Sequence, residues 1–136
     1  MTIDEALKFI HRNHFAVLAT RRQGGDAQQS PVLVVADDAG RLLISTRETA
    51  VKVRNLRRHP RASVCVLNPK FFGRWVQVTG DVEIVSLPDA MEMLVDYYRR
   101  AAGEHEDWDD YRASMRREQR CVIVLTPSEV GPNISG

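Results

Sequence analysis

One stretch limits what this chain can become: Leu42-Leu43-Ile44-Ser45-Thr46-Arg47-Glu48-Thr49-Ala50-Val51-Lys52-Val53-Arg54-Asn55-Leu56-Arg57-Arg58-His59-Pro60. An apolar strand-like run passes straight into a short basic segment of helical character, and a proline closes it. Ser45 with Glu48 three residues on matches a capping box, which predicts that the strand stops at Ser45 and a helix starts there. Pro60 ends that helix, because the residue before a proline is pushed out of helical geometry. A helix N-terminus carries free N–H groups and partial positive charge, so the corner is a candidate anion site. Arg47, Lys52, Arg54, Arg57, Arg58 and Arg61 add cations. An ordinary solvated helix face also carries such a run, and from these residues alone both readings stand.

The length of 136 residues fits a single domain over 1–136 with its own core. A net charge of +1 speaks against a polycationic nucleic-acid binder, and no recognition motif is present. Cys65 and Cys121 lie in apolar runs without metal-ligand spacing and read as small core residues. Met1-Thr2-Ile3-Asp4-Glu5 lacks an apolar signal core, and no apolar run approaches the ~20 residues needed to span a bilayer. A cytoplasmic location is the expectation. His11, His14, His59 and His105 are scattered, and no nucleophile elbow exists. Carboxylates cluster in Glu104-His105-Glu106-Asp107-Trp108-Asp109-Asp110, but acidic residues are favoured in first helical turns, so a helix start outweighs a metal site there. No catalytic residue and no metal ligand is nominated.

Periodicity orders the remainder. Thr2 and Glu5 cap a helix to about Arg12, with Ala6, Leu7 and Ile10 on one face. Strands are expected at His14–Thr20, Gln28–Val35, Arg41–Ile44, Arg61–Leu67, Arg74–Val85 and Arg120–Thr126. Gly24-Gly25 and Asp37-Asp38-Ala39-Gly40 supply hairpin turns. Pro31 places its strand at an edge, and Gly80 marks a bulge or a close backbone approach. A helix runs from Pro88 to about Ala102, stopped by Gly103, and another begins near Asp107. A polar tail follows from Pro127 to Gly136. Short antiparallel strands with inserted helices define an α+β protein, and strands this short tend to close into a barrel. Lys52 and Asn55 are expected to project together from the basic helix, and Trp75 could stack on a flat ring or simply pack.

The corner, with Arg61-Ala62-Ser63-Val64 after it, resembles the signature of the pyridoxamine 5′-phosphate oxidase-like split β-barrel flavoproteins. Phe15-Ala16-Val17-Leu18-Ala19-Thr20, Gln29-Ser30-Pro31-Val32 and Trp75-Val76-Gln77-Val78-Thr79-Gly80 match as well. Tyr98-Arg99-Arg100-Ala101-Ala102-Gly103-Glu104-His105-Glu106-Asp107-Trp108-Asp109-Asp110-Tyr111-Arg112 is similar to the helical excursion of the actinobacterial branch that binds the deazaflavin coenzyme F-420. The resemblance implies a six-stranded split β-barrel, a homodimer, and a cofactor in the groove between subunits. It assigns Lys52, with Ser45 and Thr46 beside it and Asn55 beneath, to the phosphate-bearing tail, with Arg47 or Arg54 as a further cation. Ser30, Pro31 and Val32 would line the ring, and Trp75 would pack near it. Val51 stands where the original oxidase has the arginine of an Arg-Lys pair. The ending Ser128-Glu129-Val130-Gly131-Pro132 lacks the Arg-x-His pattern used for pyridoxamine phosphate, which argues against vitamin B6 oxidation.

The resemblance thus implies hydride transfer from reduced F-420 to a small conjugated acceptor such as a quinone, an enone or a biliverdin-like tetrapyrrole. An FMN-dependent enzyme on the same barrel, or a non-catalytic F-420 carrier, are the alternatives. In all three the cofactor carries the chemistry, in keeping with the absence of an obvious acid or base.

Overall fold

The architecture follows from Val34. In the computed structural model, which describes residues 1–132, β2 (Ala27–Leu33) and β3 (Val35–Ala36) are separated by this one residue. Yet they occupy opposite edges of a seven-stranded antiparallel sheet with the order β2-β1-β5-β6-β7-β4-β3. The other strands are β1 (Phe15–Arg21), β4 (Leu42–Arg47), β5 (Arg61–Leu67), β6 (Trp75–Ser86) and β7 (Arg120–Gly131). Two edges joined by one residue must lie side by side, so the sheet curls until it closes on itself. The result is a split β-barrel. It has seven strands rather than six because the expected Gln28–Val35 strand divides: Phe15 pairs with Leu33, whereas Val35 pairs with Leu43 on the far edge. Val34 is fully buried at the crossing, its amide donating to the His14 carbonyl.

Alternation along the strands sets the two faces. Leu18, Leu42, Ile44, Val64, Val66, Val76, Val78, Ile123 and Leu125 point inward and form the barrel core. Helix α1 (Ile3–Ile10), capped as expected by Thr2 accepting from the Glu5 amide, adds Ala6, Phe9 and Ile10 to it. Helix α2 (Val51–Arg58) adds Leu56. A second cluster lies outside the barrel, where Val35, Leu43, Val122 and Val124 meet Leu94, Val95, Tyr111 and Met115 of α3 (Met91–Ala102) and α4 (Trp108–Arg117).

Helix α3 also fastens the crossing. The Tyr97 hydroxyl donates to the Leu33 carbonyl at 2.9 Å and Arg100 donates to the Ala36 carbonyl at 3.1 Å, one on each side of Val34. Residues three apart on a helix share a face, so one face of α3 serves both edges. α3 begins at Met91 rather than Pro88, after a turn, and ends at Gly103 with φ 88°; α4 is capped by Asp107.

Two expectations about the long strands resolve at one place. Strand β7 runs on through Pro127 to Gly131, where a polar tail was expected; residues 133–136 of that tail lie outside the described residues. The strand tolerates Pro127 because the ladder slips there: Thr79 faces Glu129 and Gly80 faces Pro127. Gly80 is required at this slip, since a Cβ would stand 1.9 Å from the Thr126 carbonyl oxygen. Gly80→Ala is therefore expected to lower stability by about 3 kcal/mol or more, since the obstructing atom is backbone and cannot rotate away. Urea denaturation followed by circular dichroism measures this; an unchanged midpoint contradicts the close approach.

Candidate functional site

The corner between β4 and α2 is built differently from a capping box. Ser45, Thr46 and Arg47 continue the ladder, facing Val122, Cys121 and Arg120 of β7, so the strand does not stop at Ser45. Helix α2 starts only at Val51, behind Ala50, with no side-chain cap. Glu48 is engaged elsewhere: Ser86 donates to it at 2.5 Å and Arg57 at 2.6 Å. Ladder bonds won over the local cap because β7 supplies a partner that local sequence does not show. The helix N-terminal anion site expected at Ser45 is thus absent.

A different cationic site stands there. Lys52, in the first turn of α2, is half-buried and makes no ion pair among the described residues. Burial, and then the positive charge of Arg120, push its pKa down. Arg120 pairs with Glu118 at 2.9 Å, and Arg47 shares that carboxylate at 3.2 Å. Lys52, Arg47 and Arg120 therefore have one carboxylate among them. Arg120 Nε is buried with no hydrogen-bond partner among the described residues. Buried donors are nearly always paired, so an orphan near a lysine without an ion pair singles out this corner. Tyr97 completes the site: burial raises its pKa to about 12, while the Ser45 backbone and Arg120 pull it the other way.

The expected residues divide on inspection. Ser45 lies beside Tyr97, on the face away from Leu42 and Ile44. Thr46 has the opposite parity and is 5% exposed, toward the barrel interior, so the two do not line one surface. Asn55 is buried: its amide donates to Thr20 Oγ1 at 3.1 Å and its carbonyl accepts from Arg58 at 3.0 Å. It anchors α2 to β1 and does not project with Lys52. Arg54 is exposed.

On edge strand β2, Ser30 and Val32 turn toward the interior and Pro31 outward. Ser30 Oγ is a second buried polar atom without a hydrogen-bond partner among the described residues. Trp75 faces outward in the row Leu33–Phe15–Leu67–Trp75, three strands and about 14 Å from Leu33 at the usual strand spacing. One subunit therefore does not bring Trp75 to Ser45 and Lys52. Sequence reasoning missed Arg120 and Tyr97. Both reach the corner through β7 pairing and α3 packing, and no local motif signals either.

Among the described residues no group of His, Cys, Asp or Glu is placed to hold a metal, and no helix is long and apolar enough to cross a membrane. In the acidic segment, Asp107 caps α4 and Glu104 accepts from Trp108.

A family model described as pyridoxamine 5′-phosphate oxidase matches residues 2–133. Among solved structures, a conserved hypothetical protein of Mycobacterium tuberculosis superposes with TM-score 0.78 at 22% identity, covering 100% of this chain and 92% of that one. An F420 reductase superposes with TM-score 0.70 at 25% identity, covering 91% and 94%. A pyridoxamine 5′-phosphate oxidase-related, FMN-binding protein of Nostoc punctiforme gives 0.60 at 14%, covering 94% and 78%.

Glu48 ties the corner to both α2 and β6. Burial raises its pKa, but the bonds from Ser86 and Arg57 outweigh this and leave it lowered. A carboxylate with a depressed folded pKa adds stability above its unfolded pKa and loses it as pH falls through the folded one. Glu48→Gln is expected to destabilise by about 1 kcal/mol at neutral pH, with the difference from wild type shrinking below about pH 4.5. Urea midpoints across pH 3–7 measure this; a difference independent of pH contradicts the ion pair's role.

Proposed function

Because this chain belongs to the pyridoxamine 5′-phosphate oxidase family, we propose that it is an oxidoreductase that binds coenzyme F-420 at the Lys52 corner. Bound F-420 in its reduced form supplies a hydride, here for a conjugated acceptor such as a quinone, enone or biliverdin-like molecule. The observation that carries this reading is the half-buried Lys52 beside Arg120, with too few carboxylates to neutralise them and an unpartnered Nε between strand and helix. The likeness to an F420 reductase over nearly the whole chain supports the choice of deazaflavin.

The chain's own residues bind and orient. Lys52 and Arg120 hold the anionic tail, with the Ser45 hydroxyl as a further donor at the strand end. Arg54, on the exposed side of α2, lies within reach of a long polyanionic tail. Thr46 and Asn55 act indirectly, by fixing β4 and α2. The backbone of edge strand β2 around Ser30, Pro31 and Val32 faces the ring, with the Pro31 side chain turned outward beside it.

The outward sheet face supports a homodimer: Phe15 is 55% and Leu33 43% exposed, in a row with Leu67 and Trp75 that no helix covers. A second copy on this face would bring its own Trp75 toward the ring. Sedimentation at micromolar concentration is expected to show a dimer, and a monomer that binds cofactor fully would contradict the shared groove.

Titration of the protein with F-420 and with FMN, followed by fluorescence, tests the cofactor. F-420 is expected to bind more tightly. Lys52→Ala should weaken it about 10- to 100-fold, the range for one charge-assisted contact, and should flatten its salt dependence. An anion beside Lys52 favours its charged form, so affinity should fall as pH rises through the lysine's lowered pKa, below the ordinary lysine value. Tight FMN binding without F-420 binding, or an indifferent Lys52→Ala, contradicts this assignment.

A further inference from the structure

Beside the corner lies a cavity of about 540 Å³ that shares Arg120 and Glu48 with it but is not lined by Lys52. It opens between the start of α3, the end of α4 and the ends of β6 and β7. Leu87, Pro88 and Met91 give it an apolar lining, and Glu48, Ser86, Arg116, Gln119 and Arg120 supply its polar part. Its size falls within the range of small-molecule sites, about 300–1,000 Å³.

The charges are unequal. Arg116 forms no ion pair or side-chain hydrogen bond among the described residues. Arg120 gives one NH2 to Glu118 and leaves Nε unpartnered. The carboxylate in the wall, Glu48, is already engaged by Arg57 and Ser86. The cavity therefore offers two guanidinium groups and an apolar surface, with the Gln119 amide as a neutral neighbour and no free carboxylate among the described residues that line it to pair with Arg116. A guanidinium matches a carboxylate in geometry, since its parallel N–H donors meet both oxygens.

We propose that this cavity binds a small organic carboxylate with a flat or short apolar body. The carboxylate lies between Arg116 and Arg120, and the body lies against Leu87, Pro88 and Met91. The proposal shares Arg120 with the F-420 reading, but Arg116 and the apolar lining lie outside the Lys52 corner, so the failure of one can be told from the failure of the other.

The probe is 2-naphthoate, titrated calorimetrically into the full chain without cofactor, with 2-naphthamide as the neutral comparison. Naphthoate is expected to bind at least about tenfold more tightly than the amide, the size of one charge-assisted contact. Arg116→Gln, at a site on the end of α4, should remove that advantage while leaving F-420 titration unchanged. Lys52→Ala should do the reverse. Amide chemical-shift changes on adding naphthoate should cluster at residues 86–91 and 116–120. Equal binding of acid and amide, an unchanged Arg116→Gln, or equal losses in Arg116→Gln and Lys52→Ala would overturn the proposal. Shifts centred on Trp75, Gln77 and Gly131 would overturn it too, placing the probe in the outer sheet groove.

Discussion

The closure at Val34 is the constraint on which the rest of the molecule depends. A single residue joins strands at opposite edges of the sheet, so no open arrangement of those seven strands is available. Closure gives the barrel an inside, which Leu18, Ile44, Val64, Val78 and Ile123 fill. It also puts carbonyls of both edges where α3 can reach them, and Tyr97 and Arg100 bind one on each side. Edges fastened in this way present little free ladder to other chains.

The site lies where that fastening meets the corner. Tyr97 connects the crossing to Ser45, Arg120 brings β7 beside β4, and Lys52 enters from α2. Placing a lysine partly out of water next to an arginine raises the free energy of the folded chain, since desolvation and like charge both oppose its protonated form. Among the described residues Glu118 offsets part of this by pairing with Arg120, and Lys52 has no ion pair of its own. Sites that work against stability in this way are where ligands bind, because the ligand supplies the missing charge. Asn55 and Glu48 keep the arrangement rigid: one ties α2 to β1 through Thr20, the other ties the corner to β6 through Ser86.

Much of this was legible in the sequence. Alternation gave the strands, Thr2 and Asp107 the helix starts, Pro31 the edge position of β2 and Gly80 the close approach. At the corner the local reading of the sequence differs from the structure, although Lys52 stands there half-buried. Ser45 and Glu48 have capping-box spacing, yet Ser45 is held in a ladder with Val122, and that competitor lies 77 residues away. Long-range pairing likewise hid Arg120 and Tyr97, and carried β7 past Pro127 by a bulge that only the register with Thr79 and Gly80 reveals. Thr46 and Asn55 were close to the site in sequence but turned inward, because strand parity and helix packing decide which side chain reaches the surface. Trp75 belongs to a face that one subunit leaves open.

On the proposed reading, the charge pair of Lys52 and Arg120 holds an anionic cofactor. A crystal structure of the protein with F-420 tests it most directly. The phosphate is expected within hydrogen-bond distance of Lys52 Nζ, with the Arg120 guanidinium paired to the same tail. A phosphate bound elsewhere on the barrel, with Lys52 and Arg120 Nε still without partners, would contradict it.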